Sequence, residues 1–349
     1  MKHSNVSIFV THVGCPHLCA FCNQRTITGT AEIPHADDVR RICCQAYSQI
    51  ADKSQTEIAF FGGSFTAVPK DYMLELLEAA NEFIGKDKFK GIRISTRPDY
   101  INEDVLDILN KYNVTSIELG AQSLCDEVLE ANERGHSEND VNNACKLIKN
   151  YGFELGLQMM VGLYKSSYER ELETMRKIIA LSPRTVRIYP VVVLEGTKLA
   201  QLYNNNEYKL MPFETVVDLC AEMVCKFKNA EIDVIKLGLH SSELVQNNVV
   251  AGYYHPAFSE LVYSRIILTS ILKYAVDNKL KMLDISICNR DHSIVTGHKR
   301  SNLNAIEKAG LKCNILSDNT LNRFEIKING DYLDVFKITG DPGLQVIPG

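Results

Sequence analysis

The stretch CPHLCAFC, residues 15–22, follows the first apolar run of the chain and contains Cys15, Cys19 and Cys22. Cysteine thiolates are the usual ligands of iron–sulfur clusters, and a [4Fe–4S] cluster normally takes four of them. A loop that supplies only three leaves one iron without a protein ligand. Because that iron is open to a substrate or a cofactor, the CxxxCxxC spacing favours a catalytic [4Fe–4S] cluster.

Two other interpretations of this loop stay open on spacing alone. With His17, the three cysteines would form a Cys₃His zinc site, although structural zinc motifs usually bring two ligand pairs from separate turns. No second pair follows here. In the remaining interpretation the thiols carry no metal. We expect His17 to be a loop residue and not a ligand.

Composition is that of an ordinary globular protein. The chain has 349 residues, of which 45% are hydrophobic and 23% charged, enough for one large and one small domain. It lacks both a run long enough to span a membrane and a signal-peptide core. We therefore expect a cytoplasmic protein with no membrane association. The chain has 11 cysteines, and most of those outside the loop are expected in the core and not in disulfides.

Charge gives a mixed indication about nucleic acid. The net charge of −5 provides no overall attraction to phosphate. Residues 290–312, with Lys299, Arg300 and Lys308, are nevertheless locally basic. Such a stretch is usually a solvated face, and contact with RNA is the alternative.

Strands and amphipathic helices alternate along the first 240 residues. The predicted strands are 7–13, 56–61, 91–95, 115–119, 153–158, 185–190 and 231–237. The predicted helices are 36–51, 71–84, 103–112, 138–151, 168–181 and 212–229, with N-caps at Asp37, Ser137 and Ser167. Repeated βα units predict a parallel sheet covered by helices, and six or seven units are too few for a closed eight-stranded barrel. The predicted fold class is α/β, with a partial (β/α)6 TIM-like barrel over residues 1–240.

A small α+β domain is predicted over residues 241–349, where it would cover the substrate. Its predicted elements are helices 256–277 and 302–309, strand 282–287 and a hairpin over 324–338. The hairpin turns at Asn329-Gly330, a dipeptide that favours a type I′ turn.

The unusual residues of the barrel come where its strands end. Sites in parallel α/β folds form at the carboxyl ends of the strands. After the cysteine loop, the strand ends carry GGSF (62–65), STRPDY (95–100), GAQS (120–123), Gln158 and RIYP (187–190). We expect these groups to meet at one mouth of the barrel.

A cluster with an open iron would bind S-adenosylmethionine (SAM) and cleave it reductively to a 5′-deoxyadenosyl radical. Gly62-Gly63 would let the backbone approach the methionine amino group, because glycine has no Cβ. Phe21 would pack beside the adenine ring. Gln122 would bond the ribose or the carboxylate, and Arg134 would pair with the carboxylate. Taken singly, each of these residues also fits an ordinary turn, plug or polar position.

Several motifs together resemble a known family. CPHLCAFCNQ resembles the radical SAM superfamily, and FFGGSF resembles its glycine motif. STRPDY, IELGAQS, ERGH, MMVGL and RIYPVVVLEGTKL, in this order, resemble the radical SAM domain of the catalytic subunit of Elongator and its bacterial relatives. The resemblance implies that Cys15, Cys19 and Cys22 ligate the [4Fe–4S] cluster. It implies a SAM site made of Phe21, Gly62, Gly63, Ser64, Phe65, Ser95, Gln122 and Arg134.

The sequence departs from that family at identifiable places. Relatives carry Glu where this chain has Ser95. Gln158 stands where coproporphyrinogen oxidase has Asp and Elongator has His. Elongator joins its radical SAM domain to an acetyltransferase domain and makes carboxymethyl-type uridines in tRNA. We expect no such domain in this chain, because the residues after 240 are too few for it and contain no Gly-rich acyl-CoA loop, and we expect no counterpart of the long basic N-terminal arm of Elongator.

The candidate catalytic residues are Gln158, Tyr189 and His255. His255 belongs to YHPAFSELVYSR, residues 254–265, which resembles a segment of shorter bacterial Elongator-like proteins. In that interpretation His255, Glu260 and Arg265 face the barrel mouth. A structural helix start with Pro256 in its first turn explains the same segment, and both interpretations stay open.

The expected function is a radical SAM enzyme that modifies an RNA base in tRNA or rRNA. Its partners would be SAM, the RNA and an electron donor such as flavodoxin or ferredoxin. One alternative is a radical SAM oxidoreductase or transferase acting on a small molecule or peptide. The other is a metal-binding scaffold without catalysis.

Overall fold

The structure is a computed structural model that describes residues 4–10, 13, 15, 19–23, 26–27, 33–240 and 242–337. The chain divides into two compact units, Met1–Met211 with Ile232–Pro256 and Pro212–Glu231 with Ala257–Gly349. The expected domain boundary at residue 240 stays a prediction. In this described part, no helix combines the length and the apolar composition that a bilayer crossing requires.

Strands and helices alternate from residue 4 to residue 252. The strands are Ser4–Val10 (β1), Thr56–Gly62 (β2), Gly91–Thr96 (β3), Val114–Gln122 (β4), Glu154–Val161 (β5), Thr185–Pro190 (β6), Val192–Leu194 (β7), Asp233–Leu237 (β8) and Val249–Gly252 (β9). The helices are Ala36–Gln49 (α1), Lys70–Asn81 (α2), Glu103–Lys111 (α3), Asp126–Ala131 (α4), Glu138–Asn150 (α5), Tyr168–Leu181 (α6), Lys198–Asn204 (α7), Phe213–Asn229 (α8) and Glu243–Asn247 (α9).

Seven of these strands form one parallel sheet in the order β1-β2-β3-β4-β5-β6-β8, while β7 pairs antiparallel with β9. The first pair runs in register from Ser4 opposite Thr56 to Val10 opposite Gly62. The sheet curls into a half-barrel, which confirms the predicted α/β partial barrel. All seven predicted strands are present, so the strand ends that carry the candidate site meet at one edge.

The convex face of the sheet is apolar because alternate residues of each strand point to the helices. Fully buried residues on this face include Ile58, Phe60, Ile94, Leu119 and Leu157. The concave face carries polar residues at the intervening positions. Most residues of these strands are buried, on the concave face as well as on the convex one. Only the convex face forms an apolar core.

A buried ionic network begins on the concave face at Arg93, which is 1% exposed. Its Nε donates to Glu57 Oε2 at 2.8 Å, its Nη1 to Glu118 Oε1 at 3.1 Å and its Nη2 to Glu154 Oε1 at 2.8 Å. Arg187 on β6 binds both oxygens of Glu118, with Nε at 2.6 Å and Nη2 at 2.9 Å. The carboxylates therefore gain the charged partners that burial demands.

The pKa of Glu57 shows which influence prevails in this network. Burial alone would raise it, but the Arg93 charge and hydrogen bonds from Thr115 and Ser116 lower the pKa of Glu57 below its usual value. Both hydroxyls donate to Glu57 Oε1, at 2.6 and 2.7 Å. Glu57 is thus held ionised inside the barrel.

Helix starts match local cap chemistry at two of the three predicted positions. Ser137 Oγ accepts from Asp140 N–H, and Ser167 Oγ accepts from Arg170 N–H, each at 3.3 Å. The prediction of Asp37 as an N-cap is wrong. Helix α1 begins at Ala36 after the N-cap His35, and Asp37 lies in the first turn, where its charge suits the helix dipole.

The second unit contains a small α+β arrangement, as predicted, and also α8, which the sequence predicts as part of the barrel. Its further helices are Phe258–Asp277 (α10), His292–Thr296 (α11) and Ser301–Lys308 (α12), and its strands are Met282–Ile287 (β10), Lys312–Ser317 (β11), Ile326–Ile328 (β12) and Asp331–Leu333 (β13). The strands pair in the order β11-β10-β12-β13. Asn329 and Gly330 have φ of 53° and 95°, as a type I′ turn requires.

One carboxylate of the first unit is buried beside a loop. Glu171 on α6 is 2% exposed, and it accepts from Gly162 N–H at 2.7 Å and from the Ser166 side chain. Burial raises the pKa of Glu171 to about 7. Near neutral pH the group therefore exchanges a proton in the folded protein.

We expect Glu171→Gln to flatten the pH dependence of stability. The folded-state pKa lies above the usual value of 4.5, so the native state retains a proton that the unfolded state has lost. Wild-type stability must therefore fall as the pH rises through this window, by roughly 3 kcal/mol in total. Glutamine keeps an acceptor for Gly162 N–H and does not ionise.

Urea unfolding of both proteins at about pH 5 and about pH 8 measures this effect. Glu173→Gln is the matched control, because that carboxylate lies on the same helix with 53% of its side chain exposed. An equal loss of stability in wild type and Glu171→Gln would contradict the assignment.

Candidate active site

The cysteine loop is tied to two neighbouring segments. Ala20 N–H donates to Asn132 O at 3.1 Å, after α4, and Leu199 N–H in α7 donates to Ala20 O at 2.7 Å. Cys22 N–H donates to Cys19 O at 3.0 Å, which closes a turn around the last two thiols. Cys15, Cys19 and Cys22 are all half-buried. The loop therefore lies beside the segments that follow β4 and β7.

The first cysteine meets the glycine turn that follows β2. A backbone hydrogen bond from Ser64 reaches the Cys15 thiol, and Cys19 is close enough to interact with it. Burial raises the pKa of Cys15, although this hydrogen bond and the charges of Arg97 and Arg134 act in the opposite direction. The structure thus brings together two motifs that are separated by 39 residues in the sequence, 23–61.

Glycine is required at position 62 by the path of the backbone. Gly62 has φ of +111°, and a Cβ there would lie 2.9 Å from Val10 O. The next residue, Gly63, donates its N–H to the same carbonyl at 2.7 Å. The turn folds back against the end of β1 so closely that a side chain does not fit.

We expect Gly62→Ala to lower the free energy of unfolding by about 1–3 kcal/mol, since it adds a backbone clash to an unfavourable φ. Gly152→Ala is the matched control. Gly152 also has positive φ, +82°, but a Cβ there meets nothing within 4 Å. Urea unfolding of the two variants separates the clash from the φ penalty, and equal losses would contradict the steric account.

Arg134 connects the cysteine loop to β4. It is 6% exposed, donates Nη1 to Cys19 Sγ at 3.0 Å and Nη2 to Gly120 O at 2.7 Å. Its Cζ lies 5.9 Å from the centre of the Phe21 ring. Within the described residues, Arg134 Nε is buried without a hydrogen-bond partner. A buried guanidinium with a spare donor beside thiols is a suitable place for an anionic group.

Gln122 ends β4 beside this arginine. It is 5% exposed and has φ of +64°, an uncommon conformation for a residue with a side chain. Gln158 Nε2 donates to Gln122 Oε1 at 3.4 Å from the neighbouring strand β5. A Cβ on Gly120 would lie only 3.0 Å from Gln122 Nε2, so glycine at this position leaves space for the side-chain amide of Gln122.

His136 supports this arrangement and was given no role by the sequence. Its ring Nε2 lies 3.2 Å from Ala121 O, directly before Gln122. Burial, with the nearby charges of Arg134 and Arg97, lowers the pKa of His136 to about 4. The ring is therefore neutral and donates Nε2–H to that carbonyl. Its position in the ERGH motif, next to Arg134, was the signal available in the sequence.

Two predicted cofactor residues turn their side chains inward. Ser64 Oγ lies 2.8 Å from Thr96 Oγ1 and accepts from Arg97 N–H at 3.1 Å. Phe65 is 1% exposed and stacks on Phe60 of the convex core, with ring centres 4.6 Å apart. At this turn the backbone, and not these two side chains, meets Cys15. Their predicted contacts with a cofactor stay predictions.

Ser95 and Tyr189 lie on the concave face. Ser95 is half-buried on β3, in register with Glu118 of β4. Tyr189 on β6 hydrogen-bonds with Arg187, and burial raises the pKa of Tyr189. Gln158 is in register with Arg187 on the neighbouring strand. The predicted residues Gln158 and Tyr189 are thus brought to one region of the half-barrel.

The YHPAFSELVYSR segment spans both units. Half-buried His255 follows β9, just after Tyr253, whose N–H donates to Val191 O at 2.8 Å. Helix α10 starts at Phe258, so the expectation of Pro256 in its first turn is wrong. Within the second unit, Arg265 forms ion pairs with Glu214 and Asp218 of α8. The role of His255 in catalysis stays a prediction.

The metal-ligand predictions rest on donor chemistry. Within the ranges described above, no three His, Cys, Asp or Glu side chains are arranged around one metal position. His17 lies outside the described residues. The donor set fits an iron–sulfur cluster, since three thiols occupy one short loop and Arg134 provides a positive charge against Cys19.

Comparison with known proteins gives a consistent family. The model of the radical SAM superfamily matches residues 9–178, and that of the radical SAM C-terminal domain matches residues 183–267. Elongator complex protein 3 of Saccharomyces cerevisiae is 32% identical over 190 residues, which cover 49% of this chain and 34% of that protein. The tRNA uridine(34) acetyltransferase of Dehalococcoides mccartyi is 27% identical over 253 residues, covering 62% of this chain and 55% of the relative.

A solved structure shows the same fold. The archaeal Elp3 of Methanocaldococcus infernus, with an N-terminal deletion, superposes with a TM-score of 0.58 at 22% identity and covers 79% of this chain and 63% of that one. The chain spans between a third and about half of the two curated relatives named above. The range matched by the superfamily model, residues 9–178, includes the cysteine loop, the glycine turn and the Gln122–Arg134 pair. The chain belongs to the radical SAM superfamily of enzymes, which use a [4Fe–4S] cluster and S-adenosylmethionine, and its core is Elongator-like.

Proposed function

We propose that this chain modifies a base in RNA, in tRNA or rRNA, by radical SAM chemistry. The observation that carries the proposal is the contact of Arg134 with both Cys19 and the backbone beside Gln122. This contact joins the cysteine loop to the strand end expected to bind SAM. The relatives named for tRNA uridine(34) modification support RNA as the substrate class.

Each part of the site has a distinct task in this proposal. Cys15, Cys19 and Cys22 would hold the cluster, which when bound supplies the electron that cleaves SAM to methionine and a 5′-deoxyadenosyl radical. The backbone at Gly62–Ser64 would approach the methionine amino group. Arg134, with its unpartnered Nε, would pair with the methionine carboxylate. Gln122 would orient the nucleoside, held by its hydrogen bond from Gln158.

The second unit supplies exposed positive charge. Lys299 and Arg300 are both exposed, with successive φ of 50° and 62°, directly before α12. Arg290 and Lys308 are exposed as well. Such side chains suit the phosphates of an RNA, which supports a role of this unit in substrate binding. A flavodoxin or ferredoxin would deliver the electron.

Mass spectrometry of nucleosides from tRNA and rRNA of a deletion strain and its parent tests the proposal. We expect one modified nucleoside to be absent from the deletion strain. The wild-type gene should restore it and the Cys19→Ala gene should not. Identical nucleoside profiles in deletion strain and parent would contradict RNA modification and favour a small-molecule or peptide substrate.

A further inference from the structure

Arg187 reaches across the concave face of the half-barrel. It starts on β6, yet its Cζ lies 4.9 Å from the centre of the Phe61 ring on β2, with three strands between them in the sheet. Both oxygens of buried Glu118 hold its guanidinium. The side chain is 15% exposed. The guanidinium is therefore fixed in one plane, with an aromatic ring against it.

Small residues leave the space that this crossing needs. Gly156 lies in register between Glu118 on β4 and Thr185 on β6. A Cβ on Gly156 would lie 2.9 Å from Glu118 Cγ and equally close to Thr185 Oγ1. Ser95 is the register partner of Glu118 on the other side. Gly156 and Ser95 thus leave room on the concave face for the pair of Glu118 and Arg187.

An exposed aromatic residue continues this surface. Phe9 on β1 is in register with Phe61, and their ring centres are 6.5 Å apart. Phe9 is 42% exposed, while its strand neighbours Ile8 and Val10 are at most 2% exposed on the convex side. The edge strand therefore places an apolar ring on the concave face, beside Phe61 and Arg187. We call Phe9, Phe61 and Arg187 the concave aromatic surface.

This surface adjoins the candidate SAM site. Arg187 is in register with Gln158, which donates to Gln122. A group lying on the surface would therefore be close to the residues expected to orient the nucleoside of SAM. Aromatic rings and an arginine plane favour stacking with a flat ring, and guanidinium N–H groups donate to ring carbonyl oxygens. Uracil combines a flat ring with two such oxygens.

We propose that the concave aromatic surface binds the target pyrimidine of the RNA substrate, with the ring against Phe9 and Phe61 and a carbonyl oxygen accepting from Arg187. This proposal rests on the proposed function and specifies where the base lies. Glu118 is then a positioning residue, because it holds the guanidinium in the plane that the ring requires. In this arrangement the pyrimidine covers the exposed phenyl ring of Phe9.

Binding of two RNA stem-loops to the cluster-loaded full chain tests this. One probe carries uridine at anticodon position 34, and the other carries an abasic site there with the same backbone. We expect wild type to prefer the uridine probe by roughly tenfold, the usual scale of one base stacked on an aromatic residue. Phe9→Leu and Arg187→Lys should reduce the preference to about twofold or less, with affinity for the abasic probe unchanged.

Tyr332→Leu is the control variant, because Tyr332 is an exposed aromatic residue of the second unit. It should keep the preference for uridine. Phe9 lies on an edge strand and is already exposed, so Phe9→Leu should fold normally. If Arg187→Lys does not fold, Phe9→Leu still tests the proposal. Equal affinity of wild type for both probes, or an unchanged preference in Phe9→Leu, would overturn the proposal.

Photo-crosslinking locates the base directly. A probe with 4-thiouridine at position 34 should crosslink to a peptide that contains Phe9 or Phe61, as identified by mass spectrometry. Crosslinks confined to other peptides would overturn the placement while leaving RNA modification intact. Suppose that neither stem-loop binds although the nucleoside profiles show RNA modification. In that case the base at position 34 is not the target, so the placement of the base fails while the proposed function stands.

Discussion

A Cys19→Ala chain, reconstituted anaerobically with iron and sulfide, should produce no 5′-deoxyadenosine from SAM above background. The substitution removes one of only three thiols on the loop, and it also removes the partner of Arg134 Nη1. Replacing a residue that merely supports a metal ligand typically costs ten- to a hundredfold. Loss of a ligand itself should therefore lower the rate of SAM cleavage by more than about a hundredfold.

The measurement pairs iron and sulfide analysis with chromatography of 5′-deoxyadenosine after reduction with dithionite. Cys44→Ala is the matched control, since Cys44 is an exposed thiol outside the loop, on α1. This variant should bind iron and cleave SAM like wild type. A Cys19→Ala chain that still cleaves SAM would contradict the assignment, and wild type that takes up zinc but no cluster would favour the structural zinc interpretation.

The half-barrel was predictable because its signals are local and repeated. Strands of a parallel sheet read as short apolar runs, and the helices between them show their own period. Helix α6 is found at the predicted bounds, Tyr168–Leu181, because Ser167 caps its start. The glycine turn was also predictable, since a Gly pair at a strand end indicates close backbone approach.

The ionic network on the concave face could not be predicted from the sequence. Glu57, Arg93 and Glu118 each lie inside an apolar strand, and a buried charge requires a partner. The sequence did indicate that some pairing occurs, because three neighbouring strands each carry one charged residue and the sign of the charge alternates between them. The pairing itself depends on register, which places Arg93 between carboxylates from β2, β4 and β5. Register is set by the whole sheet and not by any one strand.

The parts of the candidate site were predicted unequally. Gln122 and Arg134 come together as expected, because Gln122 ends β4 and Arg134 follows the short helix after it. The predicted cofactor contacts of Ser64 and Phe65 stay predictions, and in the structure the side chain of Ser64 bonds to Thr96 while that of Phe65 stacks on Phe60. A sequence motif marks where a turn occurs and does not distinguish which atoms of the turn are presented. Short elements such as β7 and β9 were missed, since three- and four-residue strands form only through tertiary pairing.

Arg93→Met should be the most destabilising substitution among those considered for the sheet. It leaves Glu57 buried without its arginine partner, whereas Glu118 keeps Arg187. Removing one partner of a buried ion pair typically costs about 3–5 kcal/mol. Methionine fills a similar volume, so the loss reports charge and not a cavity. Urea unfolding monitored by circular dichroism gives the free energy of unfolding. Arg40→Met, an arginine paired at the surface with Asp37 and Glu82, should change it little.

The dependence on pH separates this electrostatic origin from a packing defect. In wild type the pKa of Glu57 is lowered, so the stability it contributes is present above the unfolded-state pKa and is lost as the pH falls. Without Arg93, burial of Glu57 is no longer opposed by that charge, and its folded-state pKa should lie above the unfolded one. The deficit of Arg93→Met relative to wild type should therefore be largest near neutral pH and shrink toward about pH 5. Adding Glu57→Gln to Arg93→Met should recover part of the loss at neutral pH, because it removes the charge left without a partner. A deficit that is independent of pH and unrelieved by Glu57→Gln would show that Arg93 stabilises the sheet by packing alone.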